Sequence, residues 1–320
     1  MNVLITSAGR RVSLLESFRR AAAALEGTTQ SAVYAVDLDP SLSAACQVAD
    51  GHAAVPRASD PDYVGCLLDL CKRWAVDVVV PTIDTELVPL AEVRPLFAEH
   101  GITIAVSSPQ VCRTFNSKRS TAAFFARNGL PAPALIDDLE RAEFPLFAKL
   151  DDSSRSVGAG RVDSFEAAVA LRTRQPNYVF QSLLEGVEYT VDAFVDRRGE
   201  VLGIVPRRRL EIRDGEVSKA LATKDPTIIA AIRRLCACTE GAYGVLTIQV
   251  FVAPDGTLSF VEVNPRFGGG YPLTMHAGAD FAAYLLRDVR GETQRYDESW
   301  HDGTMMLRYD AEVIVRGHRL

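Results

Sequence analysis

Gln249, Glu262, Asn264 and Arg266 sit in the stretch VLTIQVFVAPDGTLSFVEVNPRFGGG, and their types and spacing suit one kind of chemistry. Two runs of strand character, Val245–Val252 and Leu258–Val263, flank the turn residues Pro254, Asp255 and Gly256 and predict a hairpin. Side chains alternate along a strand, so Gln249 on one arm faces Glu262 and Asn264 on the other. Three oxygen donors then converge on a hard cation, for which magnesium is the natural candidate. Arg266 follows, with a fixed charge and a fork able to hold a phosphate through two hydrogen bonds. Gly268, Gly269 and Gly270 beyond it let backbone approach a ligand closely. An isolated E-x-N-x-R would read as an ion pair beside a glycine turn, so the surrounding elements decide its meaning.

The first third of the chain alternates strand and helix patterns. Val3–Thr6 precedes an apolar helical face at Leu14, Leu15, Phe18, Ala22 and Leu25, and Val33–Asp37 comes next. A second such face (Val64, Leu67, Leu68, Cys71, Trp74) precedes Val78–Val80, and Ile102–Val106 follows another helix. The pattern predicts a parallel, Rossmann-like sheet, with Ser7, Gly9, Arg10, Asp37, Asp84 and Glu86 near strand carboxyl ends, where such sheets bind ligands. A nicotinamide-binding domain makes the same pattern, with Asp37 at the ribose position, but T-S-A-G-R-R has one glycine rather than G-x-G-x-x-G.

Ser107-Ser108-Pro109 marks a boundary. Beyond it the sequence predicts a helix over 117–128, a strand at 144–150, a helix opened by Asp163 with Glu166 at capping-box spacing, and a strand at 178–184. A second mixed lobe starts near Glu185, with strands at 189–196 and 201–205, a helix capped by Asp225 with Pro226 at its first position, and the hairpin. The run 305–315 reads as a closing strand. This is an α/β segment followed by two α+β lobes.

Composition narrows the function classes. The net charge, 35 basic against 41 acidic residues or −6, argues against a broad nucleic-acid surface. Six cysteines at 46, 66, 71, 112, 236 and 238 have neither zinc spacing nor disulfide density, and read as reduced core thiols. The amino terminus does not read as a signal peptide, and no apolar stretch reaches bilayer length. The expectation is a cytoplasmic protein with no membrane and no nucleic-acid partner.

The segment 245–280 resembles the carboxyl-terminal motif of the ATP-grasp superfamily, and closely its stand-alone members similar to carbamoyl-phosphate synthase large subunit. The resemblance spans nearly the whole chain and implies a Rossmann-like pre-ATP-grasp domain over 1–107, an N-terminal lobe over 108–184 and a C-terminal lobe over 185–320. It implies the cofactors ATP and Mg2+. Lys118 in F-N-S-K and Lys149 in F-P-L-F-A-K match the family's nucleotide-contacting lysines. The loop 151–160 would cover the phosphates, although it has fewer glycines than is usual and carries two aspartates and Arg155. Gln181 and Leu184 correspond to the adenine pocket and Glu188 to the ribose contact. Gln249, Glu262 and Asn264 are the metal set, with glutamine where many branches have an acid.

Arg207 and Arg209 share one face of V-P-R-R-R-L-E-I by strand alternation, with Arg208 on the other. Bringing a carboxylate to ATP opposes like charges, on the order of 4 kcal/mol at about 4 Å with an effective dielectric near 20. Arg207, Arg209 and Arg266 are therefore assigned to phosphate or substrate-carboxylate contacts. His276 borders the acceptor pocket or is a packed structural histidine. The implied activity is ATP-dependent ligation of a carboxylate to an amine or similar nucleophile through an acyl phosphate, releasing ADP and phosphate. A catalytically silent ATP-binding module and a nicotinamide oxidoreductase are the alternatives. The substrates are small molecules of unread identity, and the oligomeric state is open, a homodimer included.

Overall fold

The computed structural model describes residues 1–26, 31–152, 158–213 and 216–317. Its first part consists of β1 (Val3–Ile5), α1 (Val12–Glu26), β2 (Val33–Asp37), α2 (Ala44–Val48), β3 (Gly51–Ala54), α3 (Tyr63–Arg73), β4 (Val78–Val80), α4 (Leu87–Glu92), α5 (Arg94–Ala98) and β5 (Thr103–Ile104). The strands form a parallel sheet in the order β3-β2-β1-β4-β5. All three residues of both β1 and β4 are buried, as befits central parallel strands covered on both faces. The order reverses direction between β1 and β4, so a crevice opens beyond their carboxyl ends.

That crevice is shaped by residues the sequence places there, but several are committed to the turn itself. Ser7 and Gly9 take the left-handed region, φ 48° and 43°. The carboxylate of Asp37 accepts hydrogen bonds from Gly9 N at 2.7 Å and Leu38 N at 2.8 Å. Glu86, fully buried, accepts from Ser7 Oγ, Tyr63 Oη and the backbone of Thr82 and Ile83. Burial pushes the Glu86 carboxyl up, against the lowering effect of those backbone and side-chain donors. Asp37 and Glu86 therefore lock turns.

The second part comprises α6 (Pro109–Asn116), α7 (Lys118–Arg127), β6 (Leu146–Leu150), β7 (Gly160–Val162), α8 (Phe165–Arg174) and β8 (Tyr178–Ser182). The boundary serine Ser108 caps α6, with Pro109 in its first turn, and Ser117 caps α7. Ser164, not Asp163, caps α8: its side chain accepts from Ala167 N, one residue beyond the expected position. The antiparallel sheet β7-β6-β8 and α8 share a small core of Leu139, Leu146, Ala148, Leu150, Val162, Ala168, Tyr178 and Phe180. Helix α7 packs elsewhere, its Phe125 ring 5.5 Å from that of Phe260.

The remainder consists of β9 (Val187–Val195), β10 (Val201–Arg213), β11 (Glu216–Ala222), α9 (Pro226–Ala237), β12 (Gly244–Val252), β13 (Leu258–Asn264), α10 (Tyr271–His276), α11 (Phe281–Val289) and β14 (Met305–Leu307). The six strands form one antiparallel sheet in the order β13-β12-β9-β10-β11-β14. Two expectations are corrected here. Strand β10 does not end at Val205 but runs through the three arginines to Arg213, because β9 and β11 pair with it on both sides. The closing strand is confined to Met305–Leu307, paired with Lys219–Leu221; Arg308 then turns back to the Glu216 carboxylate and Gly269 O, and 309–317 are exposed without strand structure.

One apolar core runs from β1 and α1 through α6 and α7 to the large sheet. Phe267 belongs to it, with its ring 5.5 Å from Phe18 and 4.8 Å from Tyr271. The residue next to the glycine turn thus anchors that turn between α1 and α10.

Candidate active site

The hairpin forms as its sequence predicts. Gly256 adopts φ 87°, its N–H donates to Ala253 O, and Asp255 accepts from Thr257 N. Val252, Phe251 and Val250 pair with Leu258, Ser259 and Phe260, and a bulge then shifts the register so that Gln249 lies opposite Glu262 and Thr247 opposite Asn264. The alignment continues across the sheet: Gln249 faces Thr190 on β9, and Thr190 faces Arg207 on β10. Thr247 faces Asp192 in the adjacent row. Because alternate residues share a face, Glu262, Gln249, Thr190 and Arg207, with Asn264, Thr247 and Asp192 beside them, occupy one side of the sheet. Glu188, two residues before Thr190, and Arg209, two after Arg207, extend this polar face and form an ion pair.

Two adjoining cavities open on this face. The larger, about 400 Å³, lies between the small and large sheets and is lined by Lys118, Lys149, Gln181, Leu184, Glu188, Arg209, Gln249 and Glu262 among others. Its apolar walls are Pro133, Phe147, Phe251, Val261 and Ile212. Lys118 opens α7, where its backbone N–H donates to Asp151 O at 3.1 Å. Lys149, 9% exposed on β6, lies 5.5 Å from the Phe147 ring centre. Burial lowers the Lys149 ammonium from its ordinary value; Glu262 opposes that effect and Lys118 adds to it. Burial raises the Glu188 carboxyl, more than the neighbouring Arg209 lowers it. Ser153, Ser154, Arg155, Ser156 and Val157 of the expected phosphate loop lie outside the described residues.

The smaller cavity, about 130 Å³, is lined by Arg207, Asn264, Arg266 and Gly268–Gly270, and shares Arg209, Gln249 and Glu262 with the larger one. All eleven predicted site residues therefore line one cavity or both. The arginines are not bare cations. Arg266 grips Asp84 through Nε and Nη2 at 2.7 and 2.8 Å, a two-pronged bond between the hairpin and the crevice of the first sheet. Arg207 donates to Asp192 at 2.8 Å and is 1% exposed; Arg208, on the other face, is exposed. His276 is exposed and lines neither cavity, so neither reading of it holds.

Sequence reasoning missed several residues. Phe147 and Phe251 wall the larger cavity, and their signal was available: each lies two residues from a predicted site residue, Lys149 or Gln249, on the same strand face. Asp192 was legible in the same way from Glu188. Arg11 and Glu216, which flank Gly269 in the smaller cavity, gave no signal, since only the tertiary fold brings the β1–α1 turn to β11.

A divalent metal fits one corner of this face on chemical grounds. Gln249, Glu262 and Asn264 offer oxygen only, which suits a hard cation. Among the described residues no cluster of three or more His, Cys, Asp or Glu side chains is arranged to hold a metal. With a single carboxylate, the set suits a cation that arrives with an anionic ligand.

Residues 3–105 match the family model described as PylC-like, N-terminal domain, and residues 174–310 match ATP-grasp in the biosynthetic pathway with Ter operon. No curated protein matches the chain by sequence. Among solved structures it is similar to the biotin carboxylase domain of Hydrogenobacter thermophilus 2-oxoglutarate carboxylase, solved with ADP, magnesium and bicarbonate: TM-score 0.75, 16% identity, over 95% of this chain and 73% of that one. It is also similar to an L-amino acid ligase from Bacillus licheniformis, with TM-score 0.71, 16% identity, and coverage of 92% and 75%. The third is carboxyaminoimidazole ribonucleotide synthase from Aspergillus clavatus in complex with ATP, with TM-score 0.71, 20% identity, and coverage of 94% and 79%. At such identities these likenesses establish the fold. The chain thus matches a PylC-like N-terminal model over residues 3–105 and an ATP-grasp model over residues 174–310, on a fold that it shares with these structures.

Proposed function

We propose that the chain is an ATP-dependent ligase that joins a small carboxylic acid to an amine or similar nucleophile, working in the cytoplasm on small molecules. Its three domains would be 1–107, 108–184 and 185–320. The observation that supports this reading most is the convergence of eleven residues on two adjoining cavities that share Arg209, Gln249 and Glu262. The larger takes the nucleotide: Gln181 and Leu184 border the adenine, Glu188 the ribose, and the Lys118 and Lys149 ammoniums the phosphates. The smaller takes the acid, and the two meet at the polar row of the sheet. Magnesium, held by Gln249, Glu262 and Asn264, would neutralise and orient phosphate oxygens.

The chemistry needs no protein nucleophile. A carboxylate oxygen attacks the γ-phosphorus, ADP leaves, and an acyl phosphate remains. The nucleophile's nitrogen then attacks the acyl carbon to form the C–N bond and loses its proton, while the acyl C–O bond breaks and phosphate leaves with that oxygen and the bonding electrons. The first step opposes anions and the second builds negative charge on the acyl oxygen and the departing phosphate, so Arg207, Arg209 and Arg266 contribute by position and fixed charge in a site partly shielded from water.

A silent nucleotide-binding module is the second reading, favoured by the single carboxylate among the three metal donors. One experiment separates them: a screen of carboxylate and amine pairs for ADP release, with mass detection of the condensed product. Turnover with a defined pair supports the ligase; nucleotide binding without turnover across a broad panel supports the module.

A further inference from the structure

Apolar residues alternate through M-M-L-R-Y-D-A-E-V: Met305, Leu307, Tyr309, Ala311 and Val313 fall on one side, and Arg308, Asp310 and Glu312 on the other. Such alternation belongs to a strand with one covered face. Only Met305–Leu307 is strand, however, and the apolar side is bare, with Leu307 61% and Tyr309 85% exposed.

Strand β14 is the last of the large sheet, with β11 on one side and no neighbour among the described residues on the other. Arg308 N donates to Ser218 O, and Thr304 O accepts from Ala222 N, so the even-numbered residues turn their backbone groups to β11. By the alternation of an antiparallel ladder, the N–H and C=O groups of Met305 and Leu307 point outward. The side chains divide in the same way. Met306 packs against the core opposite buried Ala220, whereas Met305 and Leu307 stand beside Leu221 and Lys219 on the outer face. An open strand edge that also carries exposed apolar side chains is a template for pairing with another chain.

We propose that two copies of this chain pair through residues 305–313, antiparallel about a two-fold axis at Tyr309, and so join their large sheets edge to edge. Backbone geometry requires odd-numbered residues to face odd-numbered ones, since those carry the outward groups. The same parity keeps the apolar side chains of both copies on one side of the joined sheet; a slip of one residue would set them against Arg308, Asp310 and Glu312. Charge then selects the axis. With the axis at Tyr309, Arg308 of each copy faces Asp310 of the other. An axis at Arg308, Asp310 or Glu312 sets that charge against itself, and one at Ala311 sets Asp310 against Glu312. In the chosen register Met305 faces Val313 and Leu307 faces Ala311, each twice, and residues 309–313 become strand only when the second copy is present. The pairing also reaches the candidate site, because Arg308 donates to Glu216 and to Gly269 O, both at the smaller cavity.

Sedimentation velocity of the full chain across the micromolar range should show a dimer. Leu307→Lys, at a position exposed in the single chain, should raise the dissociation constant about tenfold or more, because it puts a charge in both halves of the apolar strip. Asp310→Arg should raise it about fourfold or more, since two attractive pairs become repulsive. Circular dichroism of both variants should match the wild type. Oxidative cross-linking reads the register, with the wild type as control for its native thiols. The two copies of Tyr309→Cys would lie about 5.5 Å apart between Cα atoms, within disulfide reach, and should cross-link, a test that stands even where a charged variant folds poorly. Ala311→Cys, four residues out of register with its own copy, should not. The proposal is overturned if the wild type sediments as a monomer throughout, if Leu307→Lys and Asp310→Arg dimerise as the wild type does, or if Ala311→Cys cross-links as readily as Tyr309→Cys.

Discussion

Replacing Asp84 with Asn tests how the first sheet is tied to the active-site hairpin. Asp84 and Arg266 are 18% and 14% exposed, and two short hydrogen bonds join them. A solvent-exposed pair would contribute about 0–1 kcal/mol, and breaking a fully buried one costs about 3–5 kcal/mol. The partial burial here puts Asp84→Asn at about 2–3 kcal/mol. Burial works against the Arg266 charge, but Asp84 and then Glu262 hold the guanidinium above its ordinary value, so it stays charged and loses its hydrogen-bonded carboxylate when Asp84 becomes neutral. For a chain of 320 residues, with about 2.1 cal/mol/K of unfolding entropy per residue, the melting temperature should fall by roughly 3–5 °C. Differential scanning fluorimetry with and without AMP-PNP and MgCl2 completes the test. The phosphates supply the missing negative charge, so the stabilisation by nucleotide should be larger in Asp84→Asn than in the wild type. Melting within about 1 °C of the wild type, or equal nucleotide shifts in both proteins, would refute the reasoning.

Further expectations follow from the same geometry. Lys149→Met should weaken AMP-PNP binding by about tenfold to a hundredfold, measured by calorimetry, because it removes a charge-assisted hydrogen bond from a partly dry site. In the free protein burial holds the Lys149 ammonium below 10.5, and phosphates would restore its proton; between that lowered value and 10.5, nucleotide binding should take up protons, seen as a dependence of binding heat on buffer ionisation enthalpy. Below that window the lysine is charged in both states, so the uptake should vanish; uptake unchanged in Lys149→Met would contradict the assignment. Gly186→Ala should lower the melting temperature by several degrees and reduce soluble yield, because φ is 135° and a Cβ would meet Val252 O at 2.3 Å.

The fold was legible where local periodicity and burial agree. Val33–Asp37 and Val78–Val80 appear at their predicted bounds because interior parallel strands are rich in buried apolar residues, wholly so in Val78–Val80. Gly51–Ala54 escapes a sequence reading: G-H-A-A is short, at the sheet edge, and half exposed, so no run of apolar residues announces it. Strand β10 reads too short in the sequence because Arg207–Arg209 look like solvent-facing charge, whereas pairing with Asp192 and Glu188 lets two of them stay in a sheet. The hairpin of the candidate site was legible from two-residue periodicity and its turn, but not the bulge between Val250 and Gln249 that shifts the register by one residue and sets Glu262 opposite Gln249. The Arg266–Asp84 bond spans 182 residues, and no local signal encodes such a distance. The commitment of Asp37 and Glu86 to backbone turns was likewise invisible, since a carboxylate at a strand end looks the same whether it faces a ligand or an N–H group.

The most direct measurement of the central claim is electron paramagnetic resonance of Mn2+, added with AMP-PNP to the wild type and to Glu262→Gln. In the wild type the manganese spectrum should report a protein-bound ion in the ternary complex, with affinity at least about tenfold above that in Glu262→Gln, where the only carboxylate of the Gln249, Glu262 and Asn264 set is gone. The substituted protein should keep its melting temperature, since Glu262 lines both cavities rather than the core. An identical bound-ion spectrum and affinity in Glu262→Gln would contradict the account, because the cation would then be held somewhere other than the hairpin.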